Sequence, residues 1–113
     1  MSRAVFQLHV PEGDDVPTPV EVTVTGEVDA SNVGEFTRSV SELPGERPLI
    51  LQLSSVKYLD SAGFAALDRL LAENAILIVL SPDSFMYRVA TLMCMPIYDA
   101  AAPARRALAE GAN

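Results

Sequence analysis

Residues 49–80 read LILQLSSVKYLDSAGFAALDRLLAENAILIVL, and this stretch decides the fold. It opens on LILQL (49–53) and closes on AILIVL (75–80), two runs that are almost wholly apolar. Runs of this kind fit central strands covered on both faces. Between them SAGFAALDRLLAEN has a helical period. Phe64, Leu67, Leu70 and Leu71 form an inner stripe, with Asp68, Arg69 and Glu73 outside it. Strand, helix and strand make a βαβ crossover, so the two strands are expected to run parallel. The start of the helix is marked by YLDSAGF (58–64), where a carboxylate and a hydroxyl stand side by side.

Upstream, AVFQLHV (4–10) alternates, with Phe6, Leu8 and Val10 on one side and Val5, Gln7 and His9 on the other. PEGDDVPTP (11–19) is turn chemistry. VEVTVTG (20–26) alternates again, with Val20, Val22 and Val24 on one face, so the two segments read as a hairpin with one half-wet face. GEVDASNVGEFTRSVSEL (26–43) then changes period. Val33, Phe36, Val40 and Leu43 make a buried helical stripe, Asp29 or Ser31 is a candidate cap, and PGERP (44–48) stops the helix. Downstream, SPDSFMYRVATLMCM (81–95) predicts a helix capped by Asp83 or Ser84, and PIYDAAAPARRALAEGAN a short strand or extended piece and a final helix from about Ala101. The order β-β-α-β-α-β-α, an extended piece and a helix describes an α/β domain, a small mixed sheet with helices packed over it. The whole chain, 1–113, reads as one domain with its core at about 5–108, and it is long enough to bury one.

Composition narrows the function. Half of the 113 residues are hydrophobic and the formal charge is −7, which excludes nucleic acid as the expected partner and disfavours an anionic membrane surface. From Val10 to Glu35 there are seven carboxylates and no base, either a solvated face or an acidic docking surface. No apolar run approaches the roughly 20 residues of a membrane span, and the opening residues turn acidic too soon for a signal peptide. A single cysteine, Cys94, forbids an internal disulfide and fits a reducing cytoplasm. Its apolar neighbours in TLMCMP predict an inert buried thiol. Seven arginines against one lysine, with abundant alanine, suggest a GC-rich bacterial genome.

The residues around Ser61 admit several chemistries. As a nucleophile Ser61 needs a base, yet the only histidine is His9, on a strand near the start of the chain, and no G-x-S-x-G elbow surrounds the serine. One His and one Cys make no metal cluster, and no phosphate-cradling glycine loop is present, so neither a metal nor a cofactor is expected and the chain is not read as an enzyme. Ser61 then remains either a helix cap or a place where a charge is written. Asp60 either caps the helix or assists that chemistry, and Gly63 allows close approach of the helix to a strand. GEVDASN also runs from strand to helix. If both strands are parallel in one sheet, Gly26, Glu27, Asp29, Ser31 and Asn32 flank Ser61, as turn residues or as a partner surface.

GEVDASNVGEF, LILQLSSVKYLDSAGFAAL and LIVLSPDSFMYRVATLMCMPIYD together resemble the STAS domain of sulfate transporters and anti-sigma factor antagonists, most of all the free-standing anti-anti-sigma factors. The resemblance runs from about Val5 to Leu108. It implies the STAS fold and a cytoplasmic protein that binds an anti-sigma factor with serine kinase activity and so releases a sigma factor. It implies phosphorylation at Ser61, the serine of the D-S-x-G signature, and a phosphatase that reverses it. Asp60, Ala62, Gly63, Gly26, Glu27, Asp29, Ser31 and Asn32 would form the contact surface, on a monomer or weak dimer. Three positions depart from the family pattern: Gln52 where an aspartate often ends the buried strand, AENAIL without the usual glycines, and Ala62 where many switches carry Ser or Thr. The alternative is a constitutive STAS subunit of another complex, such as a lipid ABC transporter or a signalling assembly. The methionines of FMYRVATLMCM would give such a subunit an adaptable docking face, unless they are core.

Overall fold

The computed structural model describes residues 3–111, so positions 1–2 and 112–113 of the expected domain lie outside the described residues. The expected hairpin is β1 (Phe6–His9) and β2 (Glu21–Val28), antiparallel with Leu8 opposite Val24. Helix α1 (Val33–Ser41) follows, then β3 (Leu49–Gln52) and β4 (Val56–Leu59). Helix α2 (Ser61–Ala72) leads to β5 (Ile76–Val79), and α3 (Tyr87–Leu92) and α4 (Ala101–Gly111) complete the chain. The sheet order is β1-β2-β3-β5, with β2, β3 and β5 parallel to one another. The expected extended piece after α3 is a single parallel bridge from Tyr98 to Val79.

The apolar runs do what their composition demands. In β3, Leu51 faces a core that holds Val22, Val24, Phe36, Val40, Leu67 and Leu70, while Ile50 faces a second cluster with Val79 and Ala104 of α4. Helices α1, α2 and α3 cover one face of the sheet, and α4 covers part of the other. Phe6 and Phe36 close the β1 side with an edge-to-face contact, 5.4 Å between centroids.

Four expectations are corrected. The segment between LILQL and the D-S-A-G signature contains the strand β4, which pairs parallel to the upper half of β2: Glu27 opposite Tyr58, Val28 opposite Leu59. β4 is four residues long, with only its ends buried, so it lacks the alternation that reveals a strand. The α1 cap is Asn32, not Asp29 or Ser31, because Asp29 turns back on Ser31 instead. Helix α3 begins only at Tyr87 behind Met86. Asp83 does not cap it, and Ser84 accepts from the Met86 N–H in the turn before it. Cys94 is exposed rather than buried. It sits just past α3 at φ 57°, with the Cys94 and Met95 N–H groups returning to the Thr91 and Ala90 carbonyls. This left-handed helix end turns the thiol outward and drives Met95 into the core.

Two departures from the family pattern also acquire a physical reading. Asn74, at φ 57°, ends α2 in the same left-handed geometry that a glycine would supply, with Asn74 and Ala75 bonded back to Leu71 and Leu70. At the end of β3, the Gln52 side-chain oxygen accepts from Ser54 N–H at 2.9 Å and from the Ser54 hydroxyl, and Ser54 Oγ accepts from Ser81 N–H at 2.8 Å.

Candidate functional site

β2 and β4 run parallel and end together at Val28 and Leu59, so the loops that follow them leave the same edge of the sheet. Asp60 N–H donates to the Val28 carbonyl at 3.3 Å. The cap of α2 is Asp60: its Oδ1 accepts from Gly63 N–H at 3.0 Å. Its Oδ2 accepts from the Ala30 N–H at 3.2 Å, across to the β2–α1 loop. Ser61 is therefore the first helical residue rather than the cap, and it is exposed. The free amides and positive dipole end of α2 lie beneath it.

The β2–α1 loop holds its own shape. Asp29 Oδ1 accepts from the Ser31 N–H at 2.8 Å and from the Ser31 hydroxyl. These bonds, the hydroxyl first, hold the Asp29 carboxyl below the usual carboxylate range. Asn32 is buried, 7% exposed. Its oxygen accepts from Asp29 N–H and its amide donates to the Glu27 carbonyl, at 2.9 and 3.0 Å. Asn32 is thus an interior brace of the loop.

The expected site residues are not all brought together. Asp29, Ser31, Asp60, Ser61 and Ala62 gather at the two strand ends, and Glu27 is exposed in β2 beside them. Gly63 is buried: a Cβ there would lie 2.7 Å from Leu59 Cγ and 3.2 Å from the Val28 oxygen, the close approach its residue type implies. Gly26 lies inside β2, not in the loop. At φ +91°, where a Cβ would meet the Val5 carbonyl oxygen, it stands at the register shift between β2 and β4, whose extra residue is Lys57 of β4. His9 hydrogen-bonds Thr25 Oγ1 at 3.1 Å and pairs with Thr23, about 17 Å of strand before Val28. Among the described residues no group of His, Cys, Asp and Glu could hold a metal, and no helix is long and apolar enough to cross a membrane.

One surface feature escapes sequence reading and another is read only in part. Tyr58 is 49% exposed beside Glu27, visible only once β4 is known to be a strand. The FMYRVATLMCM segment splits: Met86, Ala90 and Met95 are core, while Phe85, Val89, Leu92 and Met93 form an exposed apolar face, Leu92 at 76%. Their spacing of four, three and one was the available signal.

A mixed sheet carrying two parallel strand-to-helix loops at one edge, with an exposed serine heading the second helix, defines a small α/β domain. The STAS domain family matches residues 7–81, and the chain belongs to that family. Among solved structures it is similar to the crystal structure of an anti-sigma factor antagonist from Mycobacterium paratuberculosis, with a TM-score of 0.65 and 20% identity over 91% of this chain and 93% of that one. None of the curated protein sequences matches it closely enough to count as a relative.

Proposed function

We propose that this STAS domain is an anti-sigma factor antagonist, switched by phosphorylation of Ser61. It binds an anti-sigma factor that is also a serine kinase, and so releases a sigma factor. The kinase transfers the γ-phosphoryl group of a nucleoside triphosphate to Ser61 Oγ, releasing the nucleoside diphosphate and the hydroxyl proton, and a phosphatase hydrolyses the ester with water to serine and inorganic phosphate. The observation that carries this reading is the exposed Ser61 at the first position of α2, with the cap supplied by Asp60. A phosphate there meets the amides of a helix N-terminus and does not unfold the domain that bears it. Its added charge falls on the partner. Desolvation and repulsion of about 3 kcal/mol at an interface weaken binding on the order of a hundredfold. The work of the domain is binding rather than catalysis.

A constitutive subunit of a larger assembly is the second reading. The exposed apolar face of α3 favours it, because permanent interfaces are the more hydrophobic ones. A tagged pull-down from the native host, with wild type and with phosphoserine built into position 61, separates the two. An anti-sigma kinase kept by wild type and lost by the phosphorylated form supports the switch. A transporter ATPase kept equally by both overturns it and supports the second reading.

A further inference from the structure

The two oxygens of Asp60 serve different loops. Oδ1 holds Gly63 N–H in the first turn of α2, at 3.0 Å and partly buried. Oδ2 holds Ala30 N–H, thirty positions away, at 3.2 Å and exposed. The other side-chain bonds of the β2–α1 loop are internal, Asp29 with Ser31 and Asn32 with Asp29 and Glu27. The loop is thus a self-braced turn, and among the described residues the side chain that ties it to the start of α2 is Asp60.

Resting on the reading of Ser61 as a modified residue, we infer that Asp60 is a positioning residue that latches the β2–α1 loop to the Ser61 turn, and that a phosphate on Ser61 opens the latch. The cause is competition between like charges. A phosphate dianion on the first residue of α2 lies beside the Asp60 carboxylate, and both are drawn to the few free amides of one helix turn. Their mutual repulsion is relieved if one contact of the carboxylate is released. The bond to Ala30 yields first, being the longer and the more exposed of the two. The backbone bond from Asp60 N–H to the Val28 carbonyl keeps the strands paired meanwhile. Phosphorylation then alters the surface at two loops at once: it adds charge at Ser61 and loosens Ala30 and Ser31.

The test uses ¹⁵N-labelled protein in three forms: wild type, phosphoserine inserted at position 61 during synthesis, and Asp60→Asn. In Asp60→Asn the side-chain oxygen still accepts from Gly63 N–H, but its NH₂ group cannot accept from Ala30, so only the second bond is removed. Amide hydrogen exchange is read at Ala30, with Gly63 and Leu59 as internal references. Both altered forms are expected to speed Ala30 exchange by about tenfold, the protection given by one hydrogen bond, while Gly63 in Asp60→Asn stays within about twofold of wild type. Unchanged Ala30 exchange in the phosphorylated chain overturns the inference, even if Asp60→Asn accelerates it. Unchanged exchange in both forms overturns the latch itself. Because the phosphate is built in, neither result depends on a kinase. Absence of a Ser61 kinase in the host would sink the functional reading and leave the latch intact.

Discussion

Gly63 stands where α2 comes closest to β4, and a methyl group placed on it would overlap Leu59 Cγ at 2.7 Å. Leu59 is itself 7% exposed and held in the core, so it has little room to give. Gly34, the second residue of α1, has nothing within 4 Å of its Cβ direction. The same substitution therefore has opposite signs at the two positions. Gly63→Ala is expected to lower stability by about 1–3 kcal/mol through overpacking. Gly34→Ala is expected to raise it by about 0.4–1 kcal/mol, because it restricts the unfolded chain at no steric cost. Urea unfolding of both variants checks this, and a Gly63→Ala protein as stable as wild type would show that the α2–β4 approach is looser than described. The sequence offered close packing as one reading of Gly63, beside a place in the contact surface. It left both Asp60 and Ser61 as candidates for the cap. Only the distances separate them, by giving the cap to the carboxylate and leaving the hydroxyl at the surface.

Among the elements, long and strongly patterned ones were legible and short ones bent by a special residue were not. The stripe of α2 and the apolar run of β3 predict their own burial: Phe64, Leu67, Leu70, Leu49, Ile50 and Leu51 are all interior. β4 hid because its burial skips from Val56 to Leu59: Val56 and Tyr58 face the consecutive residues Gly26 and Glu27, so Lys57 is an extra residue that breaks the alternation of β4. Cys94 misled for a related reason. Its apolar neighbours point to the core, but the chain reverses hand at that residue. Cys94 and Asn74 both occupy φ 57° at helix ends, and they are not equally suited to it. Asn tolerates the left-handed region, whereas an ordinary L side chain pays about 1–2 kcal/mol there. Cys94→Gly removes that strain but gives the unfolded chain more freedom, so a net gain of about 0.5–1 kcal/mol is expected. Asn74→Gly should change stability by less than about 0.5 kcal/mol. Denaturant midpoints measured in reducing buffer decide it, and a destabilised Cys94→Gly protein would mean that the thiol makes contacts the turn geometry does not require.

At the scale of the whole molecule, the sheet separates two jobs. The edge where β2 and β4 end carries Ser61, Asp60 and the Asp29–Asn32 loop, above a core shared with α1, α2 and α3. The opposite face is covered in part by α4, where Ala104, Ile50 and Val79 are each fully buried. The shared strand-to-helix order of GEVDASN and YLDSAGF indicated the two-loop edge, on the condition that both strands run parallel in one sheet. The back face depended on recognising that Ile50 and Leu51 must look in opposite directions, which continuous apolar strands imply but do not spell out. If the two sides are energetically separate, damage to one should leave the other's binding intact. Ala104→Leu forces three extra carbons between α4 and β3. It is expected to cost about 1–3 kcal/mol by overpacking, several degrees of melting temperature in a domain of this size. Because the substitution lies across the sheet from Ser61 and shares no partner with it, affinity for any protein that docks at the two-loop edge should stay within about twofold below the melting transition. Calorimetry for stability and titration with the purified partner for affinity supply the two numbers. A large loss of affinity in a still-folded Ala104→Leu protein would place α4 in the interface, and the two faces would then have to be treated as one binding surface.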